Sequence, residues 1–259
     1  MAYTKDGTPP RQVGLPKDSN IRRALGLSTK LLDLMMEQPS HITELVPPDL
    51  PHYYGYVDYA ACGFGGVLPP CTNWIQPSVW RLKTPIDIEH ETRLEQGTVT
   101  NSDGEAAAVF IHEMSLEHWT GCDTRGIATH VGSDNSPTVG WNNRGASRAS
   151  HKAPETMIWW QALRQRFTRR GPIDVEHIPG KTNLLGDFPS RSFEEGFPEG
   201  TDGDAKFLLE FSRRHPLPPQ LGSWRLVHPP TEVILAALSV LRNEDNTQIY
   251  PETIIGQSG

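Results

Sequence analysis

The sequence predicts an α/β protein in which a mixed sheet is flanked by helices, with irregular extensions at both ends of the chain. Short runs of aromatic and β-branched residues, typical of strands, come first and then alternate with segments of helical periodicity. The 259 residues are enough to bury one sizeable core together with flanking segments. The 23 glycines and 23 prolines are many for one compact domain, and they predict long loops or extended tails.

Residues 1–52 are predicted to form an N-terminal flanking segment. Apolar residues at helical spacing indicate one helix over about residues 19–38. A proline-rich joint at residues 46–51 then separates this helix from the next segment. We interpret the segment as a linker or as the remnant of an upstream domain.

Three antiparallel strands in a row are predicted from residue 53. Residues 53–58 are aromatic and β-branched, as strands prefer. The run Gly63-Phe64-Gly65-Gly66 is typical of a tight turn, after which residues 67–68 resume an extended run. Residues 79–82 are predicted to form the third strand.

The order predicted next is a helix, a strand, two helices, a strand and a short final helix. The run Ser102-Asp103-Gly104-Glu105 has the capping-box pattern ahead of an apolar stretch, and it predicts the first helix start. The remaining elements are predicted as a strand at 127–132, helices at 135–149 and 154–169, a strand at 173–178 and a helix around 183–191.

Residues 194–259 are predicted to be a C-terminal linker or tail with short helices. This part of the chain is acidic and rich in proline and glycine. Helical periodicity indicates helices at 204–214 and 231–242, with a linker between them. The domain between the two extensions is therefore predicted to span residues 53–193.

Charge, cysteine content and hydropathy indicate which partners and which cell compartment to expect. The 24 basic and 31 acidic residues give a net charge of -7, which argues weakly against nucleic acid as a partner. Residues 141–191, however, hold nine basic and four acidic residues, and this local charge of +5 can neutralise phosphates unless it is merely a solvated helix face. Cys62, Cys71 and Cys122 lack C-x-x-C spacing and predict reduced thiols of an intracellular protein, cytoplasmic or nuclear. No stretch approaches 18 apolar residues, so no membrane partner is expected.

Four carboxylates are predicted to stand at element ends, and they indicate one metal site. Strand ends and helix starts of a mixed sheet converge on one edge, although each residue alone has an ordinary explanation as a turn or capping residue. Four clustered anions repel one another without a cation, and Mg²⁺ prefers hard oxygen ligands. The set predicts two Mg²⁺ ions, for which Mn²⁺ can substitute, acting on a phosphodiester. Its members are Asp58, Glu105, Asp134 and Asp187.

Four runs that contain these residues resemble the ribonuclease H domain of retroelement polyproteins and are most similar to gypsy-like and DIRS-like elements. The resemblance covers about residues 53–193. The last run is the most specific, because it resembles the family ending H-x-x-G-x-x-N-x-x-A-D…S-R. The runs are Tyr56-Val57-Asp58-Tyr59-Ala60, Thr100-Asn101-Ser102-Asp103-Gly104-Glu105-Ala106, Ser133-Asp134-Asn135-Ser136-Pro137-Thr138-Val139 and His177-Ile178-Pro179-Gly180-Lys181-Thr182-Asn183…Gly186-Asp187…Ser190-Arg191.

The resemblance implies a ribonuclease H-like fold and a metal-dependent endonuclease that hydrolyses the RNA strand of RNA–DNA hybrids. It also implies a reverse transcriptase domain upstream in the parent polyprotein. In this family Asp58 would bridge both ions, Asp187 would complete one of them, and Glu105 with Asp134 would hold the other. Two departures stand out. Gly186 replaces the usual alanine, and the mobile histidine of cellular ribonucleases H has no clear counterpart, because His177 lies too early in the chain.

Five basic residues are predicted to contact the nucleic acid, and two alternative functions remain open. An enzyme of the same fold could act on DNA, as transposases and exonucleases do. A degenerate, non-catalytic module would bind nucleic acid or support the structure of a polyprotein without cutting. The intact carboxylate set argues against this alternative, because a catalytic site that is no longer used should lose its metal ligands first. The predicted nucleic-acid contacts are Arg164, Arg166, Arg169, Arg170 and Lys181.

Overall fold

The computed structural model describes Thr29 and residues 52–71, 76–121, 126–147, 152–168 and 171–244. Except for Thr29, which is helical, the predicted N-terminal helix and the proline-rich joint lie outside these residues. The described residues from 52 onward belong to one unit of the chain, Pro48–Gly259. Of the helices in this part of the chain, none is both long and apolar enough to cross a membrane.

Six strands form one mixed sheet in the order β5-β4-β1-β2-β3-β6. The first three strands are antiparallel neighbours, whereas β4 runs parallel to β1, β5 parallel to β4 and β6 parallel to β3. This confirms the predicted α/β class with a mixed sheet. The strands are β1 (His52–Ala60), β2 (Gly63–Leu68), β3 (Ser78–Lys83), β4 (Ala128–Ser133), β5 (Ile173–His177) and β6 (Arg225–Val227).

Helices pack on both faces of the sheet. The long, almost wholly buried helix α2 contacts β1 on one face, with α4 and α7 packed against it, and α5 lies on the opposite face across β1 and β2. The helices are α1 (Ile86–Arg93), α2 (Asn101–Thr120), α3 (Ser136–Arg144), α4 (Lys152–Thr168), α5 (Leu184–Arg191), α6 (Thr201–Arg214) and α7 (Thr231–Leu241), with single 3-10 turns at Gly180–Thr182 and Pro219–Leu221.

Helix α1 is absent from the sequence prediction. Its eight residues include only one that is buried, Ile88, and most of the others are charged. The segment therefore lacks the apolar stripe that identifies a helix in a sequence. Its contacts are with distant residues, such as Arg242, whose guanidinium donates to the Asp87 carboxylate.

The glycine-rich run predicted as a turn is strand β2. The turn is formed by the two residues before it, Ala61 and Cys62. A Cβ on Gly65 would lie 2.4 Å from the Ser190 nitrogen, and one on Gly63 would lie 2.6 Å from the Ser190 carbonyl oxygen. The glycines are there because α5 packs directly against the backbone of β2, so these residues are buried and cannot contact a substrate.

The capping box of α2 lies two residues before the predicted one. Thr100 is the N-cap, its hydroxyl accepts from the Asp103 amide, and the Asp103 carboxylate accepts from the Thr100 amide. Glu105 is thereby displaced into the second turn of the helix. Its carboxylate is left free for contacts across the sheet.

The C-terminal segment is part of the folded domain, so the linker interpretation is wrong for residues 194–244. Strand β6 pairs with β3, and α7 packs on α2. Phe207 and Phe211 of α6 form a second hydrophobic cluster with Phe188 of α5. The two predicted helices exist, but their apolar residues are buried, those of α6 against the sheet and those of α7 against α2.

Arg81 on β3 joins the C-terminal segment to the sheet. This buried guanidinium donates to the carboxylate of Asp204 and to the carbonyl oxygens of Phe197 and Pro198, at 2.6–3.2 Å. It also stacks on the Phe207 ring at 4.6 Å. The arginine thus satisfies backbone groups that residues 194–204 would otherwise leave unpaired.

A side chain occupies the outer edge of β5. Asn143 of α3 donates from Nδ2 to the Val175 carbonyl at 2.8 Å, and its Oδ1 accepts from the Val175 amide at 3.1 Å. In the described sheet β5 has only β4 as a strand partner. The amide of Asn143 therefore takes the place that a neighbouring strand would fill.

Candidate metal centre

Strands β1 and β4 place Asp58 and Asp134 side by side. The two strands pair in parallel from His52 with Ala128 to Tyr56 with Gly132. Asp58 lies two residues beyond the last paired residue of β1, and Asp134 lies two residues beyond its partner on β4. The two carboxylates therefore meet where the neighbouring strands stop pairing.

Glu105 reaches the same place from α2, through the open edge of β1. Beyond Tyr56, β1 is no longer paired with β4, and its Tyr59 amide donates to Glu105 Oε1 at 3.2 Å. The other carboxylate oxygen accepts from the Ser133 hydroxyl at 3.2 Å. These two bonds hold the carboxylate between the ends of two strands.

Three of the four predicted carboxylates converge. One oxygen from each of Asp58, Glu105 and Asp134 lies within 4.8 Å of the other two. Asp58 is 4% exposed and Glu105 is 1% exposed. Burial raises the pKa of Asp58 to about 6, with a smaller contribution from the charges of Asp134 and Asp187, while the Ser190 hydrogen bond lowers it. Burial, followed by the charges of Asp58 and Asp134, also raises the pKa of Glu105.

Asp187 lies beside this group but is not part of it. Its carboxylate accepts from the Arg191 guanidinium one turn further along α5. Ser190, three residues after Asp187 on the same helix, has its hydroxyl bonded both to the Asp58 carboxylate and to the Asp187 carbonyl. Helix α5 is therefore fixed next to Asp58, with the Asp187 side chain turned toward Arg191.

Gly186 allows α5 to approach β1 closely. A Cβ at this position would lie 2.9 Å from the Val57 carbonyl carbon and 2.8 Å from Asn183 Oδ1. The Asn183 side chain itself donates to the Val57 carbonyl at 2.9 Å. Glycine at this position thus allows a short helix-to-strand distance.

The structure describes the side chains of two of the five residues predicted to contact nucleic acid, and it places one of them inside the protein and the other at the surface. Arg164 is 6% exposed and bonds to the Met114 carbonyl and the Glu117 carboxylate, so it joins α4 to α2 and cannot meet a phosphate. The side chain of Arg166 and all of Arg169 and Arg170 lie outside the described residues. Lys181 is exposed, and it follows Gly180, whose Cβ would lie 2.6 Å from the Asp134 carboxylate. Lys181 therefore remains a candidate beside the carboxylates.

The residues of this centre suit a hard divalent cation. The hydrogen-bond donors that the structure gives to Asp58 and Glu105 are two hydroxyls and one amide, all neutral. Burying carboxylates together without a compensating cation is unfavourable, as the raised pKa of both residues reflects. Oxygen ligands from carboxylates are those that Mg²⁺ and Ca²⁺ prefer. The acidic group can therefore hold a metal ion of this class.

We expect the metal-free protein to lose stability as the pH rises from about 4 to about 6. In this range the unfolded chain has released the Asp58 proton, whereas the folded protein, with an Asp58 pKa of about 6, still holds it. Stability is therefore greatest below the unfolded pKa and is lost as the pH passes the folded one. Urea unfolding in EDTA at about pH 4.5 and about pH 7.5 measures the loss.

The matched variant for this measurement is Asp58→Asn, which removes the titrating group. Its advantage in unfolding free energy over the parent is expected to grow with pH, by on the order of 2 kcal/mol across this range. The Ser190 hydroxyl can still bond to the asparagine side chain, so the local packing is kept. An advantage that is the same at both pH values would contradict a raised Asp58 pKa.

Sequence reasoning missed the neutral residues that orient the carboxylates. Ser133 precedes Asp134 and Ser190 precedes Arg191, so both stand in the runs that carry the family resemblance, yet neither was assigned a role. Their hydroxyls reach Glu105 and Asp58 across separations of 28 and 132 residues. Such pairings depend on the folded sheet and leave no local signal. His177 lies exposed on β5, opposite Ser133.

No family model, curated protein or solved structure matches the chain.

Proposed function

We propose that this chain is a metal-dependent endonuclease that hydrolyses the RNA strand of RNA–DNA hybrids. We further propose that it has a ribonuclease H-like fold and belongs to a retroelement polyprotein with an upstream reverse transcriptase. The convergence of Asp58, Glu105 and Asp134 within 4.8 Å carries the proposal. The chain order from β1 to α5 supports the fold, because it contains the predicted three strands, helix, strand, two helices, strand and helix, with α1 as an addition.

The chain's own residues would bind, orient and shield the reacting groups. When bound, two Mg²⁺ ions would activate a water molecule and stabilise the leaving oxygen of a phosphodiester. The charges of both Asp134 and Asp187 act on Asp58, so this carboxylate would be one of the residues that hold the metal. Tyr59 and Ser133 keep the Glu105 carboxylate in one orientation, so little reorganisation is needed when a cation binds.

Recognition of the RNA strand would come from the starts of α2 and α3. The two helix starts are adjacent, because the Thr138 hydroxyl of α3 donates to the Ser102 carbonyl of α2 at 3.1 Å. The polar residues Asn101 and Ser136 are exposed there, close in sequence to Glu105 and Asp134. Side chains of this kind can hydrogen-bond to 2′-hydroxyls across a shallow minor groove.

Cleavage of a matched set of substrates tests the proposal. We expect the full chain in Mg²⁺ to cut the RNA strand of a labelled hybrid, to cut single-stranded RNA little, and to leave duplex DNA intact. EDTA should abolish cleavage. Preferential cutting of DNA would favour a transposase-like or exonuclease-like activity, and binding of the hybrid without cutting would favour a degenerate module.

A further inference from the structure

Asp187 and Arg191 form an ion pair at the edge of the metal centre. The Arg191 Nε donates to Asp187 Oδ1, with the two side chains 50% and 41% exposed. The other three carboxylates converge on each other, whereas this one is engaged by a cationic side chain. An exposed pair of this kind contributes little to stability, so either partner can be released at small cost.

The position of Arg191 is fixed by the packing of α5. The preceding Ser190 hydroxyl bonds to Asp58, and the backbone of Pro189 and Ser190 rests on Gly65. The backbone of Arg191 therefore directly follows Ser190, whose side chain contacts the metal centre. The Arg191 guanidinium attracts both Asp187 and Asp58 electrostatically. Only the flexible end of the arginine side chain is free to change partner.

Phosphate competes well for such a guanidinium. Arginine binds phosphate through two parallel hydrogen bonds, in the same way as it binds carboxylate. A cation bound to the Asp187 carboxylate would weaken the hold of that carboxylate on the guanidinium, because the two positive charges repel each other. The cationic group set free would then lie beside the place where a scissile phosphodiester must sit.

We propose that Arg191 is a substrate-binding residue that contacts a backbone phosphate of the nucleic acid, and that Asp187 masks it until that carboxylate is engaged by a cation. The inference rests on the proposed function and adds a regulatory step to the same site. Phosphate binding at this residue becomes coupled to occupation of the metal centre. The protein then holds a polyanion tightly only when it is ready to cut it.

Removing the Asp187 carboxylate in the absence of metal tests the inference. In EDTA, where no cleavage occurs, binding of a fluorescent RNA–DNA hybrid is followed by anisotropy over a range of salt concentrations. Asp187→Ala is expected to bind several-fold more tightly than the parent at low salt and to steepen the slope of log K against log salt by about 0.9, as one further phosphate contact does. In an Arg191→Gln background the same change should give no steepening.

The matched control is Asp202→Ala. Asp202 stands in the first turn of α6 and pairs with Lys206 one turn later, as Asp187 of α5 pairs with Arg191. This variant also removes one negative charge and frees one cation, but it lies outside the metal centre, and the salt slope should stay that of the parent. Thermal melts confirm that each variant is folded.

Three outcomes are informative. A steeper slope that requires Arg191 supports the inference. An equal gain from Asp187→Ala with and without Arg191, or an equal gain from Asp202→Ala, shows only a general charge effect and overturns it while leaving the proposed function intact. A parent protein that neither binds nor cuts the hybrid in Mg²⁺ overturns the proposed function and this inference with it.

Discussion

Asp134→Asn is expected to reduce hybrid cleavage by roughly three orders of magnitude while leaving the fold intact. The carboxylate is one of three that converge, and an amide in its place offers a weaker, uncharged ligand. Losing several kcal/mol of charge stabilisation in the transition state corresponds to a loss of about this size. Relief of repulsion with Asp58 and Glu105 should also make the metal-free variant slightly more stable. Single-turnover cleavage measures the loss of activity, calorimetric titration with Mg²⁺ measures metal binding, and urea unfolding in EDTA measures the gain in stability.

Asp174→Asn provides the control for this variant. Asp174 lies on β5, is 56% exposed and pairs with His130, away from the three carboxylates. Its replacement should leave cleavage and Mg²⁺ binding close to those of the parent, because exposed pairs contribute little. If Asp134→Asn bound two ions like the parent, or cut the hybrid normally, the assignment of Asp134 as a ligand would be wrong.

Arg81→Met is expected to destabilise the protein by about 3–5 kcal/mol, as removal of one partner of a buried ion pair commonly does. The variant leaves Asp204 and the carbonyl oxygens of Phe197 and Pro198 without their donor. Urea unfolding measures the loss, and limited proteolysis should show earlier cleavage within residues 194–204.

Arg213→Met on α6 is the matched control, because this arginine is 71% exposed and pairs with Glu210 at the surface. It should cost less than about 1 kcal/mol. The double variant Arg81→Met with Asp204→Leu should recover part of the loss, since no charge is then left unpaired. Equal losses for Arg81→Met and Arg213→Met would contradict a structural role for Arg81.

Truncation after Phe193 follows from the same packing. The sequence alone predicts that residues 194–259 can be removed with metal-dependent cleavage preserved. The structure instead places β6 beside β3 and α7 against α2, so truncation would expose Trp80 and much of the apolar surface of α2. The shortened chain is expected to fail to fold.

The sequence predicted those parts of the fold and site that depend on neighbouring residues. Asp58 follows a run of strand-forming residues, and Asp134 follows a short apolar strand, so both could be placed at strand ends. The expectation that strand ends of a mixed sheet converge on one edge then placed the two carboxylates together. Asp187 could be placed on its helix. Whether its carboxylate binds a metal ion or pairs with Arg191, however, depends on the folded site.

The failures concern contacts between distant residues. Arg164 resembles a solvated residue in sequence, and its partner Glu117 is 47 residues away. Arg81 finds Asp204 across 123 residues, which made the C-terminal helices look detached. The glycines of β2 look like a turn until α5 is known to lie on them. Local propensity cannot reveal contacts of this kind.

The amide of Asn143 also affects how copies of this protein meet one another. A bare strand at the side of a sheet offers unpaired backbone groups to any passing chain, which is a route to aggregation. Here the central donor and acceptor of β5 are already satisfied within the same molecule. The strand at the other side, β6, is only three residues long and offers a short template. Both edges of the described sheet therefore offer a second copy little unpaired backbone.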